Sequence, residues 1–435
     1  MSDIHKTDIH KTIEAVWKIE STRLIAGIAR VTRDIGIAEE LAQDALVAAL
    51  ERWPAEGIPE KPGAWLMTAA KRRAIDGLRR GRMLEQKHGE ITRELEFQQR
   101  RLGEAMDQAL DQVIDDDVLR LIFTACHPVL TVEGRIALTL RCVGGLTTAE
   151  IARAFLVPEK TLAQRIVRAK KTLAEAHVPF EIPRVDEMRS RLESVLSVIY
   201  LIFNEGYTAT SGDEWMREEL CNDALRLGRI LVALLPSKSP ESQEPEVHGL
   251  LALMELQASR TAARKGRNGE AILLLKQDRS LWNYAQIQRG MAALDSAQKL
   301  GGEAGSYTLQ AAIAACHARA RTAAETDWER IVLLYDALLQ VSPSPIVALN
   351  RAVAVGMAQG PAAGLAALDA LAVEPALANY HLFPSVRGDL LLRLGRFTEA
   401  HAEIQRAIAM TENRREQELL AEKLKQAIFI AGSGK

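Results

Sequence analysis

The sequence predicts an all-α protein, with two small helical domains followed by a long array of paired helices. Apolar residues recur at the period of the α-helix through most of the 435 residues. Two clusters of basic residues fall on predicted helices before residue 180. After about residue 245, short glycine-containing turns separate helices rich in small residues, a pattern typical of helical repeats. These three observations define the predicted fold class.

The composition is that of a protein with substantial cores, since 48% of its residues are hydrophobic. The net charge of −2 excludes overall attraction to nucleic acid, so any such binding depends on local basic patches. Four cysteines are widely separated and lack metal-ligand spacing: Cys126, Cys142, Cys221 and Cys316. With a polar N-terminus and no long apolar run, we expect a cytoplasmic protein that has neither a metal site nor a membrane segment.

Residues 10–52 predict two or three helices. The second runs from about Ala38 to Trp53. Its expected inward residues are Leu41, Ala45, Leu46, Ala49 and Leu50. Its opposite face is polar and acidic and carries Glu39, Glu40, Gln43 and Asp44. The residues alone leave open whether this face binds a partner or is only solvated.

A loop rich in proline and glycine, from Trp53 to Gly63, precedes a basic helix. Between Lys61 and Arg82 there are seven basic residues and a single acid. Trp65 lies beside this ridge, where a tryptophan more often belongs to the core than to a binding platform. A tryptophan next to a basic helix also suits single-stranded nucleic acid.

Two further helices, split near His127-Pro128, lead to the stretch LTTAEIARAFLVPEKTLAQRIVRAKK (146–171), which predicts a helix-turn-helix. Thr147 or Thr148 forms a capping box with Glu150, and a proline separates the two helices. The second helix starts near Glu159, and its expected buried residues are Leu162, Ile166, Ala169 and Leu173. Its other face is polar and basic. Such a helix enters the major groove of DNA, and the alternative is a solvated helical hairpin.

Together, the EELAQDAL helix, the WLMTAAKRRAIDGLRR helix, a polar linker and the helix-turn-helix resemble the sigma-70 family of bacterial RNA polymerase initiation factors. The resemblance is closest to the extracytoplasmic-function group, which keeps only regions 2 and 4. It implies region 2 at 8–85, a linker at 86–112 and region 4 at 113–178. It also implies two partners, core RNA polymerase and promoter DNA, and a monomeric protein.

The resemblance assigns roles to particular residues. The polymerase-binding residues are then Glu39, Glu40, Gln43 and Asp44. The residues that hold the melted −10 strand are Trp65, Arg72, Arg73, Asp76, Arg79 and Arg80. Those that read the −35 element are Lys160, Thr161, Gln164, Arg165 and Arg168. Many members have an asparagine after the alanine of the WLxxxA segment, where this chain has Lys71, so the −10 sequence is not inferred from relatives.

Beyond residue 178 the chain continues with RLESVLSVIYLIFNEGYTATSG (191–212). This stretch predicts an amphipathic helix that ends at Asn204–Tyr207, with Gly206 as its C-terminal glycine. The segments GRNGEA and GRFTEA are similar to each other, and Gly360 and Gly395 are 35 residues apart. That spacing is close to the tetratricopeptide period of about 34 residues.

The resemblance is therefore to extracytoplasmic-function factors that carry a C-terminal tetratricopeptide-like extension. It implies a helical linking domain with a YLIFNEGY-type motif at 180–285 and a tetratricopeptide-like α-solenoid at 286–430, its repeat character beginning near 245. The candidate regulatory motif is Asn204, Glu205, Gly206 and Tyr207, for which a helix-capping role is the alternative to a ligand site. The solenoid groove is a candidate site for a protein or peptide partner. Regulation and plain stabilisation of the sigma domains are equally open roles for the extension.

Enzyme motifs such as a phosphate loop, GxSxG and HExxH are missing from the sequence. We therefore expect no catalytic residues, no cofactor and no enzymatic activity. The competing hypothesis is a tetratricopeptide-containing DNA-binding regulator or scaffold that acts without the polymerase. The second basic surface argues against it, because an operator-binding protein has no need of one. Binding to core polymerase separates the two hypotheses.

Overall fold

The computed structural model describes residues 2–84, 106–155, 157–208, 216–235, 244–266, 272–378, 380–411 and 417–425. Within these ranges the side chains of residues 2–8, 74–84, 106–115, 153 and 185 are not described. The regular elements of the described part are helices, which confirms the predicted all-α class. The chain divides into two compact units, one formed by 1–201 with 233–238 and the other by 202–232 with 239–435.

The described residues of unit 1 form seven helices and the first part of an eighth. They are α1 (Ser2–Thr32), α2 (Ile35–Glu56), α3 (Pro62–Leu84), α4 (Met106–Ala125), α5 (Val132–Cys142), α6 (Thr148–Ala154), α7 (Glu159–Glu175) and α8 (Val185–Tyr207). Helix α1 packs against α2, α3 and α4, and α5 packs against α7. The predicted split at His127-Pro128 is confirmed, because it falls between α4 and α5.

The inward face of α2 is made mainly of alanine and differs from the predicted one. Ala38, Ala42, Ala45 and Ala49 are fully buried, whereas Leu50 is 37% exposed. The small alanine side chains let α1 and α2 approach closely. The leucines of α2 therefore lie at the sides of this contact instead of inside it. The predicted start of the loop at Trp53 is also wrong. Helix α2 continues through Pro54, with the buried Trp53 in its last turn, and it ends at Glu56, where Gly57 with φ 86° is the C-cap.

The helix-turn-helix forms as predicted. The Thr147 hydroxyl accepts a 3.1 Å hydrogen bond from the Glu150 backbone N–H, and Glu150 Oε2 accepts one of 2.7 Å from the Thr147 N–H. This reciprocal pair is a capping box. The predicted buried face of α7 is confirmed, with Leu162, Ile166, Ala169 and Leu173 at most 6% exposed.

The first half of α8 belongs to unit 1. Arg191 donates a 2.9 Å hydrogen bond to the Phe123 carbonyl, and Ser194 donates one of 2.7 Å to the Cys126 carbonyl. The Ser194 hydroxyl also accepts from Arg135 at 2.5 Å. Three hydrogen bonds therefore tie the first half of α8 to α4, to the turn after it and to α5.

Unit 2 contains the end of α8 and a series of further helices. They are α9 (Glu218–Leu234), α10 (Pro245–Ala258), α11 (Tyr284–Lys299), α12 (Ser306–Arg319), α13 (Trp328–Val341), α14 (Pro345–Ala358), α15 (Pro361–Asp369), α16 (Leu382–Arg393) and α17 (Phe397–Met410), followed by helical residues 417–425. The last two residues of α9 are assigned to unit 1. From α12 to α17 each helix packs on the next, as in a solenoid.

The turns of this solenoid contain the two glycines identified in the sequence. Gly360 lies between α14 and α15 with φ 99°, and Gly395 lies between α16 and α17 with φ 74°. Glycine adopts such left-handed conformations without a steric penalty. Equivalent turns in successive helix pairs are the structural basis of the repeat seen in the sequence.

The predicted role of Gly206 is wrong. It lies inside α8, which ends at Tyr207, and an added Cβ would be 2.7 Å from the Cys221 backbone nitrogen and 2.9 Å from the Arg217 carbonyl oxygen. The Gly206 carbonyl also accepts a 2.7 Å hydrogen bond from the Arg217 N–H. This glycine therefore permits the close approach of α8 and the start of α9.

Candidate polymerase and DNA surfaces

The acidic residues of α2 do not share one environment. Glu40 and Asp44 are exposed, and Gln43 is half-buried. Glu39 is only 5% exposed. Asp44 also pairs with Arg73 of α3 across 3.7 Å. The predicted polymerase face is therefore open over part of its length and covered at Glu39.

Glu39 is covered by two basic residues from helices α5 and α7. Lys170 Nζ lies 2.6 Å from Glu39 Oε2, and Arg141 donates to Oε1 at 2.8 and 2.9 Å. Gln43 donates a further hydrogen bond to the carboxylate. Burial alone raises the pKa of Glu39, but the charges of Lys170 and Arg141 outweigh it, and the net pKa is below the usual value. Glu39 is therefore an ionised carboxylate held between two cations.

A cleft of about 530 Å³ lies between α2 and α3. Its lining residues are Ala48, Arg52, Ala64, Trp65, Thr68, Ala69, Arg72 and Arg73. Trp65 is half-buried and packs edge-to-face on the buried Trp53, with the ring centroids 5.4 Å apart. Three guanidinium groups beside a partly open aromatic ring can hold phosphates and stack a base.

Three of the six predicted −10 residues, Trp65, Arg72 and Arg73, are thus brought together in this cleft. The side chains of Asp76, Arg79 and Arg80 lie outside the described residues, although the backbone of α3 continues through them to Leu84. Arg52 was missed by the sequence reasoning. The sequence signal for Arg52 is its basic charge on α2, a helix whose other charged residues are mainly acidic. It lies one turn after Ala48, on the side of α2 that faces the basic helix α3.

The outer face of α7 carries the predicted −35 residues. Lys160, Gln164 and Arg168 are exposed, and Thr161 and Arg165 are half-buried. Val167 of the same helix was missed by the sequence reasoning, and 63% of its surface is exposed. An apolar side chain in this position can contact a thymine methyl group, and the arginines can pair with guanine.

The NEGY motif is integrated into the core of unit 2. Glu205 pairs with Arg217, and the Tyr207 ring stacks on Phe203 with the centroids 5.5 Å apart. The guanidinium of the buried Arg264 lies 3.5 Å from the centroid of the same ring. Arg260 donates a 2.7 Å hydrogen bond to the Tyr207 hydroxyl. These contacts fix the junction between α8, α9 and the 3-10 segment Thr261–Arg264.

The described residues hold no group of three or more His, Cys, Asp or Glu side chains that is placed to bind a metal ion. In the same part of the chain, no helix is long and apolar enough to cross a membrane. The four cysteines are buried and free, and burial raises the pKa of Cys142 to about 12.

Known families match three parts of the chain. Sigma-70 region 2 matches residues 20–83, and sigma-70 region 4 matches residues 120–173. A family of unknown function, DUF6596, matches residues 191–298. No solved structure matches the chain significantly.

Relatives among curated proteins fall into two groups. An uncharacterized protein of Rhizobium meliloti (strain 1021), R00370, is 43% identical over 390 residues, which is 89% of each chain. The ECF RNA polymerase sigma factor SigK of Mycobacterium ulcerans (strain Agy99) is 31% identical over 159 residues, which is 35% of this chain and 78% of SigK. SigK of Mycobacterium tuberculosis (strain H37Rv) is 32% identical over a similar length, 156 residues. This chain therefore belongs to the ECF group of sigma-70 factors, the proteins of transcription initiation, and it carries a long C-terminal extension.

Proposed function

We propose that this sigma factor recruits core RNA polymerase to promoters with −35 and −10 elements and helps to melt them. The observation that supports this most is the arginine-lined cleft between α2 and α3, which contains Trp65. An operator-binding protein has no use for such a cleft, whereas a melted strand presents phosphates and unstacked bases to it. A protein that works with core polymerase acts in the cytoplasm, and we propose that it does so as a monomer.

The proposed division of labour follows the exposed surfaces. Exposed Glu40 and Asp44 contact the polymerase, and the cleft holds the −10 strand. Helix α7 places Arg165 and Arg168 at base edges of the −35 element while Lys160 holds a phosphate. The proposed domains are region 2 at 8–85, region 4 at 113–178, a linking domain at 180–285 and repeats at 286–430.

The extension is proposed to stabilise or regulate the sigma domains. The Tyr207 contacts with Arg260 and Arg264 give its motif a structural role at a helix junction. They favour a structural role of the motif over a ligand site. A protein or peptide partner in the solenoid groove remains our proposal for the repeats.

The test is transcription in vitro with bacterial core RNA polymerase and the DNA upstream of the chain's own gene. Arg52→Ala and Arg72→Ala should each lower transcription about tenfold or more, while Arg23→Ala, an exposed arginine of α1, should not. A template with an already unpaired −10 region should restore part of the activity of the cleft variants. Full activity of both cleft variants on duplex DNA would contradict the melting role. Failure of the wild type to bind polymerase would favour the scaffold or operator-binding alternative.

A further inference from the structure

A buried ion cluster joins region 2 to region 4 within unit 1. Glu39 of α2 uses both carboxylate oxygens, one toward Lys170 at 2.6 Å and one toward Arg141 at 2.8 Å. The side chains of Lys170 and Arg141 are each only 15% exposed. We call this cluster of Glu39, Arg141 and Lys170 the Glu39 latch.

The latch is part of a continuous interface. The Thr22 hydroxyl of α1 donates a buried 2.8 Å hydrogen bond to the Val143 carbonyl, at the turn that precedes the helix-turn-helix. Gly145, in the same turn, lies so close to α1 that an added Cβ would be 2.7 Å from Ser21 Oγ. Region 4 therefore covers one side of region 2 through matched polar and charged groups.

The Glu39 carboxylate cannot bind region 4 and the polymerase at the same time. The acidic face of α2 is the surface proposed to bind the polymerase, yet its most buried member is occupied by region 4 of the same chain. Removal of a buried charge from its partners is costly, so Glu39 cannot meet the polymerase until Lys170 and Arg141 have moved away. The −35 face is not hidden in the same way, because Lys160, Gln164 and Arg168 stay exposed.

We propose that the Glu39 latch is an autoinhibitory contact, which holds region 4 over the polymerase-binding face of region 2 and opens when polymerase binds. The proposal rests on the proposed function as a polymerase-binding factor. Its consequence is quantitative, since the apparent affinity for polymerase falls in proportion to the fraction of open molecules. Stabilising the closed form must therefore weaken polymerase binding, and weakening the latch must strengthen it.

A reversible covalent lock provides the first test. An ideal Cβ built on Gly36 lies 3.7 Å from Lys170 Cβ, a separation typical of disulfides. The same Cβ lies 2.9 Å from Asp34 Oδ1, so the Asp34 side chain has to shift. With that shift, the Gly36→Cys, Lys170→Cys double variant should form a disulfide across the latch on oxidation, and the four native cysteines are buried. The oxidised form should bind core polymerase about tenfold or more weakly than the same protein after reduction. Each single variant, oxidised in the same way, should show no such difference.

A charge reversal provides the second test in the full chain. Lys170→Glu places a carboxylate against Glu39 and should tighten polymerase binding by about tenfold, the effect of about 1.4 kcal/mol. Lys171→Glu is the matched control, because Lys171 has the same charge on the same helix but its side chain is 72% exposed, and its ion pair is with the exposed Glu175. Its polymerase affinity should equal that of the wild type.

The outcomes separate the two proposals. Equal polymerase binding by the oxidised and reduced double variant, with the disulfide confirmed by mass spectrometry, would overturn the latch and leave the sigma function intact. Unchanged or weaker binding by a folded Lys170→Glu variant would also count against it. If neither the wild type nor the reduced double variant binds polymerase, the proposed function itself fails, and the latch fails with it.

Discussion

Among the described residues, Glu39 in unit 1 and Glu255 in unit 2 are buried glutamates. Glu255 in unit 2 is 1% exposed and lies between Arg229 and Arg289, with nitrogen–oxygen distances of 2.5 and 3.2 Å. Both carboxylates have two cationic partners from other elements, which offsets the cost of removing a charge from water. The difference is functional, because Glu39 belongs to a face with a proposed external partner.

His317 makes the stability of unit 2 depend on pH. Burial, together with the charges of Arg260 and Arg279, lowers its pKa from 6.5 to about 4. The unfolded chain therefore binds a proton as pH falls below 6.5 while the folded chain does not, and stability decreases until the pH reaches about 4. Above pH 6.5 neutral His317 has no effect on the pH dependence of stability. Between pH 6.5 and about 4, its titration lowers the free energy of unfolding by up to about 3 kcal/mol.

The measurement is the free energy of unfolding by urea at several pH values between 7 and 4, for the wild type and for His317→Gln. The variant has no group that titrates here, so it should lose less stability on acidification than the wild type. His10→Gln is the control, since this histidine near the start of α1 is exposed. Parallel pH profiles of the wild type and His317→Gln would show that His317 does not contribute.

The junction of α8 and α9 in unit 2 depends on Gly206, because the missing side chain lets the two backbones approach closely. Gly206→Ala would force a Cβ against the backbone of Arg217 and Cys221, at 2.9 and 2.7 Å. Both clashing atoms belong to the backbone, so a change of side-chain rotamer cannot relieve the clash. The variant should therefore be destabilised by about 1–3 kcal/mol.

The matched control is Gly228→Ala in α9. There the added Cβ meets the terminal carbon of Met254 at 2.8 Å, which can move aside. This variant should be neutral, or gain up to about 1 kcal/mol from the better helix propensity of alanine. Thermal unfolding followed by circular dichroism compares the two. Equal stability of both variants would contradict the contact role of Gly206.

The sequence predicted the elements whose information is local. The apolar period of α7 predicted its buried face, with Leu162 and Ile166 inward, and the Thr147–Glu150 pair predicted the capping box of α6. The burial of Glu39 was out of reach, because its partners lie 102 and 131 residues away in the chain. For the same reason Gly206 was misread, since the close neighbours of α8 at that point were unknown.

The candidate site shows the same limit. The basic character of α3 was readable, and so was the proximity of Trp65 to Arg72. That Arg52 of α2 lines the same cleft depends on how two helices pack. Residue type and period predict which face of a helix is used, whereas tertiary packing decides which faces meet.

At the scale of the whole molecule, the sigma part does not end where the family resemblance ends. Region 4 matches up to residue 173, but unit 1 extends to residue 201. The first half of α8 supplies hydrogen bonds from Arg191 and Ser194 to the carbonyls of region 4. The extension is therefore attached through a helix that is itself part of the sigma unit.

A truncated chain of residues 1–178 should accordingly be less stable than one of residues 1–201. The shorter chain leaves the Phe123 and Cys126 carbonyls and the Arg135 guanidinium without their α8 partners. Each lost hydrogen bond costs about 1 kcal/mol. Thermal unfolding of the two chains, with Ser194→Ala in the longer one as an intermediate case, measures the difference.

This difference decides how regulation by the extension is tested. Loss of activity in residues 1–178 would confound the removal of a regulator with damage to region 4. Residues 1–201 keep the α8 contacts, so transcription at the level of the full chain by this fragment would exclude regulation by the extension. Higher transcription would indicate that the extension inhibits, and lower transcription by a stably folded fragment would indicate that it assists the sigma domains on the polymerase.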